Sequence, residues 1–430
     1  MQVKRESYLK ALLSKKWNGR VKVITGIRRC GKSTLLLDLF KKQLLDDGIP
    51  QENIISLALD TDSAEQYRDP AALSAYIREK ITDLHSQYYV LLDEIQYAIS
   101  KAELKNHDSP VRLYSVLNGL LHLKNVDVYV TGSNSKMLSK DISTEFRGKG
   151  DVIQVYPFSF REFFQARQLD KYDAYNEYAM FGGMPYLIHL DSDHEKYQYL
   201  QQLFDEIYFK DIEERYDIAL PGVLKELTSA LCSSVGSLTN ASKIARTLKS
   251  TQNLSVDSET ISKYLDILKD SFLFSEALRY DIKGKRYFEY PSKYYCTDIG
   301  LRNVRLGLRQ QEETHIMENL IYNELINRGY LVDVGVVSII DKTDSGNRKQ
   351  KSCEIDFIAQ KSNKKYYIQS ALSMDDPEKA KTELRPLLSA KDFFKRIVIS
   401  KSYGKSWIDE NGIMRINLID FLLDENSMDR

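Results

Sequence analysis

Near the start of the chain the residues Gly26-Ile27-Arg28-Arg29-Cys30-Gly31-Lys32-Ser33 follow the apolar run RVKVIT and lead through Thr34 into a helix-length stretch. The spacing G-x-x-x-x-G-K-S is suited to gripping phosphate. Glycines permit a tight turn that brings backbone N–H groups against an anion, and the start of the following helix adds unpaired donors. Lys32 would reach the β and γ phosphates and Ser33 would ligate magnesium. The expected ligands are therefore ATP and Mg2+, held by Gly26, Ile27, Arg28, Arg29, Cys30, Gly31, Lys32, Ser33 and Thr34.

A second element, YYVLLDEIQ, reads as a buried strand that ends in Asp93-Glu94. Two carboxylates at the end of such a strand call for a cation to meet them. Asp93 suits the magnesium shell, and Glu94 suits the base that orients an attacking water, which points to hydrolysis rather than transfer to a small acceptor. A third strand, DVYVTGSNS, carries Ser133 and Asn134 at its end, where a polar side chain would sense the γ phosphate or simply cap a helix. Arg147 follows the segment KMLSKDISTEF. It would either stabilise charge on the transferred phosphoryl group, in cis or in a neighbouring subunit, or complete a helix C-terminus.

These residues need a scaffold. From Arg20 to about Tyr156 short apolar runs alternate with helix-length segments, the pattern of a parallel sheet covered on both faces. After Pro157 helical periodicity takes over, which predicts a helical lid over 161–220. Three helical segments followed by FLFSEALRYD, a KGKR turn and YFEYP predict a winged helix over 221–305. From 306 to 430 a helix, ETHIMENLIYNELINRG, precedes the strands YLVDVGVV, CEIDFIA, KYYIQSA and RIVIS, which predicts a second α/β domain. The expected fold class is α/β: a P-loop core over 1–160, lid, winged helix, and a C-terminal α/β domain.

At 430 residues, 43% hydrophobic and 28% charged, the chain can bury several cores. Lys plus Arg and Asp plus Glu are 61 each, so a nucleic-acid partner would have to be met by a local patch. The four cysteines, Cys30, Cys232, Cys296 and Cys353, form no C-x-x-C pair and suggest neither zinc nor a disulfide framework. The N-terminus lacks the apolar core of a signal peptide, and no apolar run of about 18 residues occurs, so a cytoplasmic protein without integral membrane association is expected.

Taken together, VKVITGIRRCGKSTLL, LLDEIQ, TGSNSKMLS, FRGKG, VYPFSFREF, FGGMP and KYYCTDIGLRN resemble a family of bacterial and archaeal AAA-type ATPases. Its members carry a C-terminal domain related to restriction-nuclease folds. The resemblance covers most of the chain and implies an AAA-like core, a lid, a winged helix and a nuclease-like end. Such nucleases use an acid on a helix, an Asp on a strand and an E-x-K on the next strand, because metal ligands plus a lysine make and hold a hydroxide near the phosphate. Glu318 and Asp356 match the first two, but the E-x-K positions are Gln369 and Ala371. An inactive scaffold is expected.

Residues 243–293 hold ten basic against seven acidic side chains, and Lys283, Lys285 and Arg286 at the hairpin tip could straddle a phosphate backbone. Glu259, Asp266 and Asp270 on the helix before it would repel DNA. The leading expectation is a DNA-associated, homo-oligomeric ATPase. The alternative is a nucleotide-switched signalling or scaffold ATPase whose winged helix and C-terminal domain bind protein partners.

Overall fold

The computed structural model describes residues 3–100, 102–103, 111–132, 150–216, 218–310, 312–342, 348–402 and 404–430. The chain forms two compact units, one of Met1–Pro157 with Asp270–Phe272, the other of Phe158–Lys269 with Leu273–Arg430.

The first unit holds the strands β1 (Val21–Thr25), β2 (Ile54–Ala58), β3 (Tyr88–Asp93), β4 (Val126–Thr131) and β5 (Gly150–Gln154). They lie in the order β2-β3-β4-β1-β5, and every neighbouring pair is parallel. Every residue of β1, β3 and β4 is buried, as a parallel sheet covered on both faces requires. Even Lys22, mid-strand and inaccessible, finds a partner in Asp127, which also accepts from Tyr129 Oη at 2.8 Å and from the Trp17 backbone N–H at 3.1 Å. A charge this deep persists because it is paired and hydrogen-bonded. The crossover that places β4 between β3 and β1 sets the carboxyl ends of these three strands side by side, the place where open α/β sheets gather their functional groups.

The second unit is built on an eight-stranded sheet, β12-β13-β11-β10-β9-β8-β6-β7. The strands are β6 (Phe274–Asp281), β7 (Arg286–Cys296), β8 (Leu331–Lys342), β9 (Arg348–Lys361), β10 (Lys364–Ala371), β11 (Lys395–Ser400), β12 (Trp407–Ile408) and β13 (Met414–Asn417). Three helices, Pro221–Ser233, Ala241–Gln252 and Ser258–Asp270, precede the β6–β7 hairpin, the element order expected of a winged helix. The hairpin does not stand free, however. Arg279–Asp281 of β6 pair in parallel with Val334–Val336 of β8, so the ribbon is one side of the C-terminal sheet and the backbone groups of β6 are satisfied on both edges there.

Two sequence motifs interlock in this unit. Gly182 has φ +76°, and a Cβ there would stand 2.1 Å from Asp298 Oδ1. Asp298 in turn accepts from the Gly183 N–H at 2.7 Å and caps the helix Ile299–Arg305 through the Leu301 N–H at 3.1 Å. Asn303 donates to the carbonyls of Ala179 and Met180, both at 2.9 Å, at the end of the helix Lys171–Phe181. FGGMP and TDIGLRN therefore meet as structure.

Candidate nucleotide site and the C-terminal carboxylate cluster

The phosphate-type loop leaves β1 at Thr25. Gly26 has φ +141°, and a Cβ on it would lie 2.1 Å from the Val155 carbonyl oxygen, so no larger residue fits. The turn closes through positive φ at Arg29 (+65°) and Gly31 (+95°) and runs into a helix, with π geometry over Thr34–Phe40 and α geometry over Lys41–Asp46. The loop is anchored from beneath. Cys30 donates from Sγ to Val155 O at 3.3 Å, and Arg5 reaches Cys30 O at 2.8 Å and Tyr156 O at 2.7 Å. Burial pushes the Cys30 thiol above its ordinary pKa, which makes it a packing group rather than a nucleophile. Lys32 is 3% exposed and its ammonium donates to Gly26 O and Ile27 O, each at 3.1 Å. The loop thus holds its own lysine at its mouth.

Asp93, the last residue of β3, is buried and accepts from Thr131 Oγ1 at 2.5 Å and from the Ser33 side chain. Burial raises its pKa, the hydrogen bonds from Thr131 and Ser33 oppose this, and the nearby Glu94 adds to the rise. Glu94 has left-handed backbone, φ +53° and ψ +52°, and its N–H donates to the same Thr131 hydroxyl at 2.9 Å. Its carboxylate accepts from Gln96 Nε2. Hydroxyl and carboxylate oxygens in contact beside a phosphate-type loop are the hard donors that Mg2+ takes alongside phosphate oxygens. Ser33 and Asp93 fit that ion.

Of the residues singled out from sequence, the structure thus brings together Gly26 through Thr34 with Asp93 and Glu94. Ser133, Asn134 and Arg147 lie outside the described residues. Three residues in this site escaped sequence reading: Thr131, Gln96 and Arg5. Thr131 had a signal, a hydroxyl at the last position of a wholly buried strand; Arg5 had none, since its partners are 25 and 151 positions away.

In the second unit Glu318, on the helix Glu313–Asn327, and Asp356, on β9, converge on a lysine, though not one from an E-x-K position. Lys293 of β7 sets its ammonium 2.9 Å from Glu318 Oε1 and 3.5 Å from both Asp356 Oδ1 and Glu354 Oε1, with its side chain 5% exposed. Tyr295 donates to Glu318 Oε1 at 2.7 Å. Burial works against the Lys293 charge, but Glu318, Asp356 and Glu354 together outweigh it and hold its pKa above the ordinary value. Burial likewise pushes the Glu318 carboxyl up, against the pull of Lys293. Gln369 on β10 spends its amide on Glu383, at 3.1 Å, and on a long contact of 3.5 Å from the Asp356 N–H, while Ala371 is buried. Among the described residues no group of three or more His, Cys, Asp or Glu side chains is arranged to hold a metal ion.

Lys283, Lys285 and Arg286 are exposed at the β6–β7 turn, where Asp281 accepts from the Lys283 and Gly284 N–H groups at 3.1 and 2.9 Å. Arg286 stands 3.8 Å from the same carboxylate. Among the described residues no helix is long and apolar enough to cross a membrane.

Residues 18–164 match a family described as an AAA domain, and residues 172–312 match a domain of unknown function. An uncharacterized protein of Haemophilus influenzae is 35% identical over 427 residues, 98% of each chain. An uncharacterized protein of Methanocaldococcus jannaschii is 27% identical over 376 residues, 84% of this chain and 76% of its own length. Among solved structures, a Walker-type ATPase of Pyrococcus abyssi aligns over 71% of this chain and 96% of its own, at 15% identity and a TM-score of 0.49.

Proposed function

The chain belongs to the same family as its Haemophilus influenzae relative and carries an AAA domain, and on that premise we propose that it binds Mg-ATP and hydrolyses it to ADP and inorganic phosphate. The observation that carries this is the junction of Ser33, Asp93, Thr131 and Glu94, where one hydroxyl links the Asp93 carboxylate to the Glu94 backbone N–H beside the phosphate-type loop. On binding, the Lys32 ammonium exchanges the Gly26 and Ile27 carbonyls for phosphate oxygens, and the loop N–H groups meet the remaining charge. Mg2+, held by Ser33 and Asp93, would neutralise charge on the phosphates. Glu94 orients a water and takes its proton as the water oxygen bonds to the γ phosphorus and the bond to the β,γ-bridging oxygen breaks. The test is phosphate release together with binding of a fluorescent ATP analogue. Turnover that does not need Glu94, or binding that does not need Lys32, would refute these assignments.

The finer reading is an oligomeric ATPase that works on DNA, with Lys283, Lys285 and Arg286 against the phosphate backbone and Arg147 serving a neighbouring subunit. It is supported by the exposed basic turn and by the place of Arg147 in the sequence. ATPase activity that rises severalfold with DNA, and loses that rise as salt is added, is the expected result; a flat response favours the scaffold reading instead. For Arg147, mixing Glu94→Gln with Arg147→Ala subunits should restore activity if the arginine acts across an interface.

A further inference from the structure

Glu94 is held at both ends, and the two holds come from different elements. Its left-handed backbone is unfavourable for a non-glycine residue and persists only where its surroundings insist on it. The Thr131 hydroxyl supplies the first hold by accepting the Glu94 N–H while donating to Asp93. The second is Gln96, whose side-chain amide donates to the Glu94 carboxylate. Gln96 itself stands on a short turn, Ile95–Ala98, whose Ile95 and Ala98 are 1% and 2% exposed and belong to the core of the first unit. The amide is therefore carried by a buried footing and donates to Oε2 of the Glu94 carboxylate.

We propose that Gln96 is a positioning residue for hydrolysis, fixing the Glu94 carboxylate in the orientation that aligns the attacking water; this rests on the ATPase reading above. A base left to swing loses alignment, and a misplacement of about 1 Å can lower a rate by up to about 10²-fold. ATP binding is not asked of Gln96, so the effect falls on kcat and not on KM. A residue that merely supported the Ile95–Ala98 turn would disturb the whole strand end, and its loss would act whether or not Glu94 were present.

The experiment compares wild type, Gln96→Met, which keeps the length without the donor, and Gln96→Asn, which keeps the amide but withdraws it by one methylene. Each is measured alone and in the Glu94→Gln background by single-turnover phosphate release, with melting temperature and ATP-analogue binding recorded for all. Expected are a drop of about tenfold in kcat for both variants, with KM changed less than twofold. In the Glu94→Gln background the same substitutions should change the residual rate by less than about twofold, since contacting residues that act as a unit are non-additive. Full activity in Gln96→Met, or the same tenfold factor in the Glu94→Gln background, overturns the assignment. Absence of turnover in the wild type itself overturns the ATPase reading and this one with it.

Discussion

The chain holds two lysine–carboxylate sites with opposite internal economies. In the first unit Lys32 points at neutral carbonyls and Asp93 and Glu94 are held by a hydroxyl and an amide, so positive and negative charges are kept apart for a ligand to join. In the second unit Lys293 lies directly among Glu318, Asp356 and Glu354, so the charges have already met. The first arrangement favours a triphosphate with its metal. In the second, one buried ammonium already stands against three carboxylates, so its charge is engaged within the cluster. The same residue types thus yield a binding site or a closed ion cluster according to what each lysine faces.

The sharpest way to break this comparison is at Lys32 and Glu94. Lys32→Ala should abolish tight ATP-analogue binding and turnover. Glu94→Gln should keep binding while lowering turnover by about 10²-fold or more, as loss of a general base does. Normal hydrolysis by Glu94→Gln would remove the first unit's claim to a separate base.

At the second site the expected cost is in stability. Lys293→Met leaves buried carboxylates without their cation, and breaking a buried pair in this way costs about 3–5 kcal/mol. Urea unfolding of the full chain should register this, and adding Glu318→Gln should recover part of it. An unaltered unfolding midpoint in Lys293→Met would mean that the cluster is open and that the contrast between the sites is wrong.

Asp298 provides a milder test of how this unit treats buried carboxyls. Burial raises its pKa from 3.8 to about 6, while the N–H groups of Gly183, Leu301 and Gly300 pull the other way. The native state therefore holds a proton that the unfolded chain releases at lower pH. The contribution is fully present below about pH 4 and is lost as the pH climbs through about 6, a loss on the order of 2–3 kcal/mol. Asp298→Asn keeps an acceptor for one N–H and should flatten unfolding free energy across that window. A slope unchanged by the substitution would place the titration elsewhere.

The smallest expected effect is at the hairpin turn. Replacing Lys283 and Lys285, both exposed, with Ala should change stability by less than about 0.5 kcal/mol. If DNA raises turnover, loss of that rise in this variant would report on the proposed contact with DNA rather than on folding.

Much of the first unit could be read in the sequence because its signals are local. Gly26, Gly31, Lys32 and Ser33 are neighbours in the chain, and the apolar runs of β1, β3 and β4 name themselves by continuous burial. The acids at the end of β3 follow from the cost of burying charge. Glu318, Asp356, Gln369 and Ala371 were singled out by a family resemblance and not by any local signal.

Which cation the carboxylates meet was decided by the tertiary structure. Lys293 lies 25 residues before Glu318, in a ribbon that sequence assigns to a winged helix, and it reaches the carboxylates because that ribbon is built into the C-terminal sheet. No local spacing encodes such a contact, since the ordering of strands is settled by which edges pair once the cores form. The same holds for Thr131, which meets Asp93 and Glu94 across 38 and 37 positions only because β4 lies beside β3. The sequence by itself determined which residue types stand at the phosphate-type loop and at the end of β3; the fold decided which charges elsewhere, such as that of Lys293, are already paired.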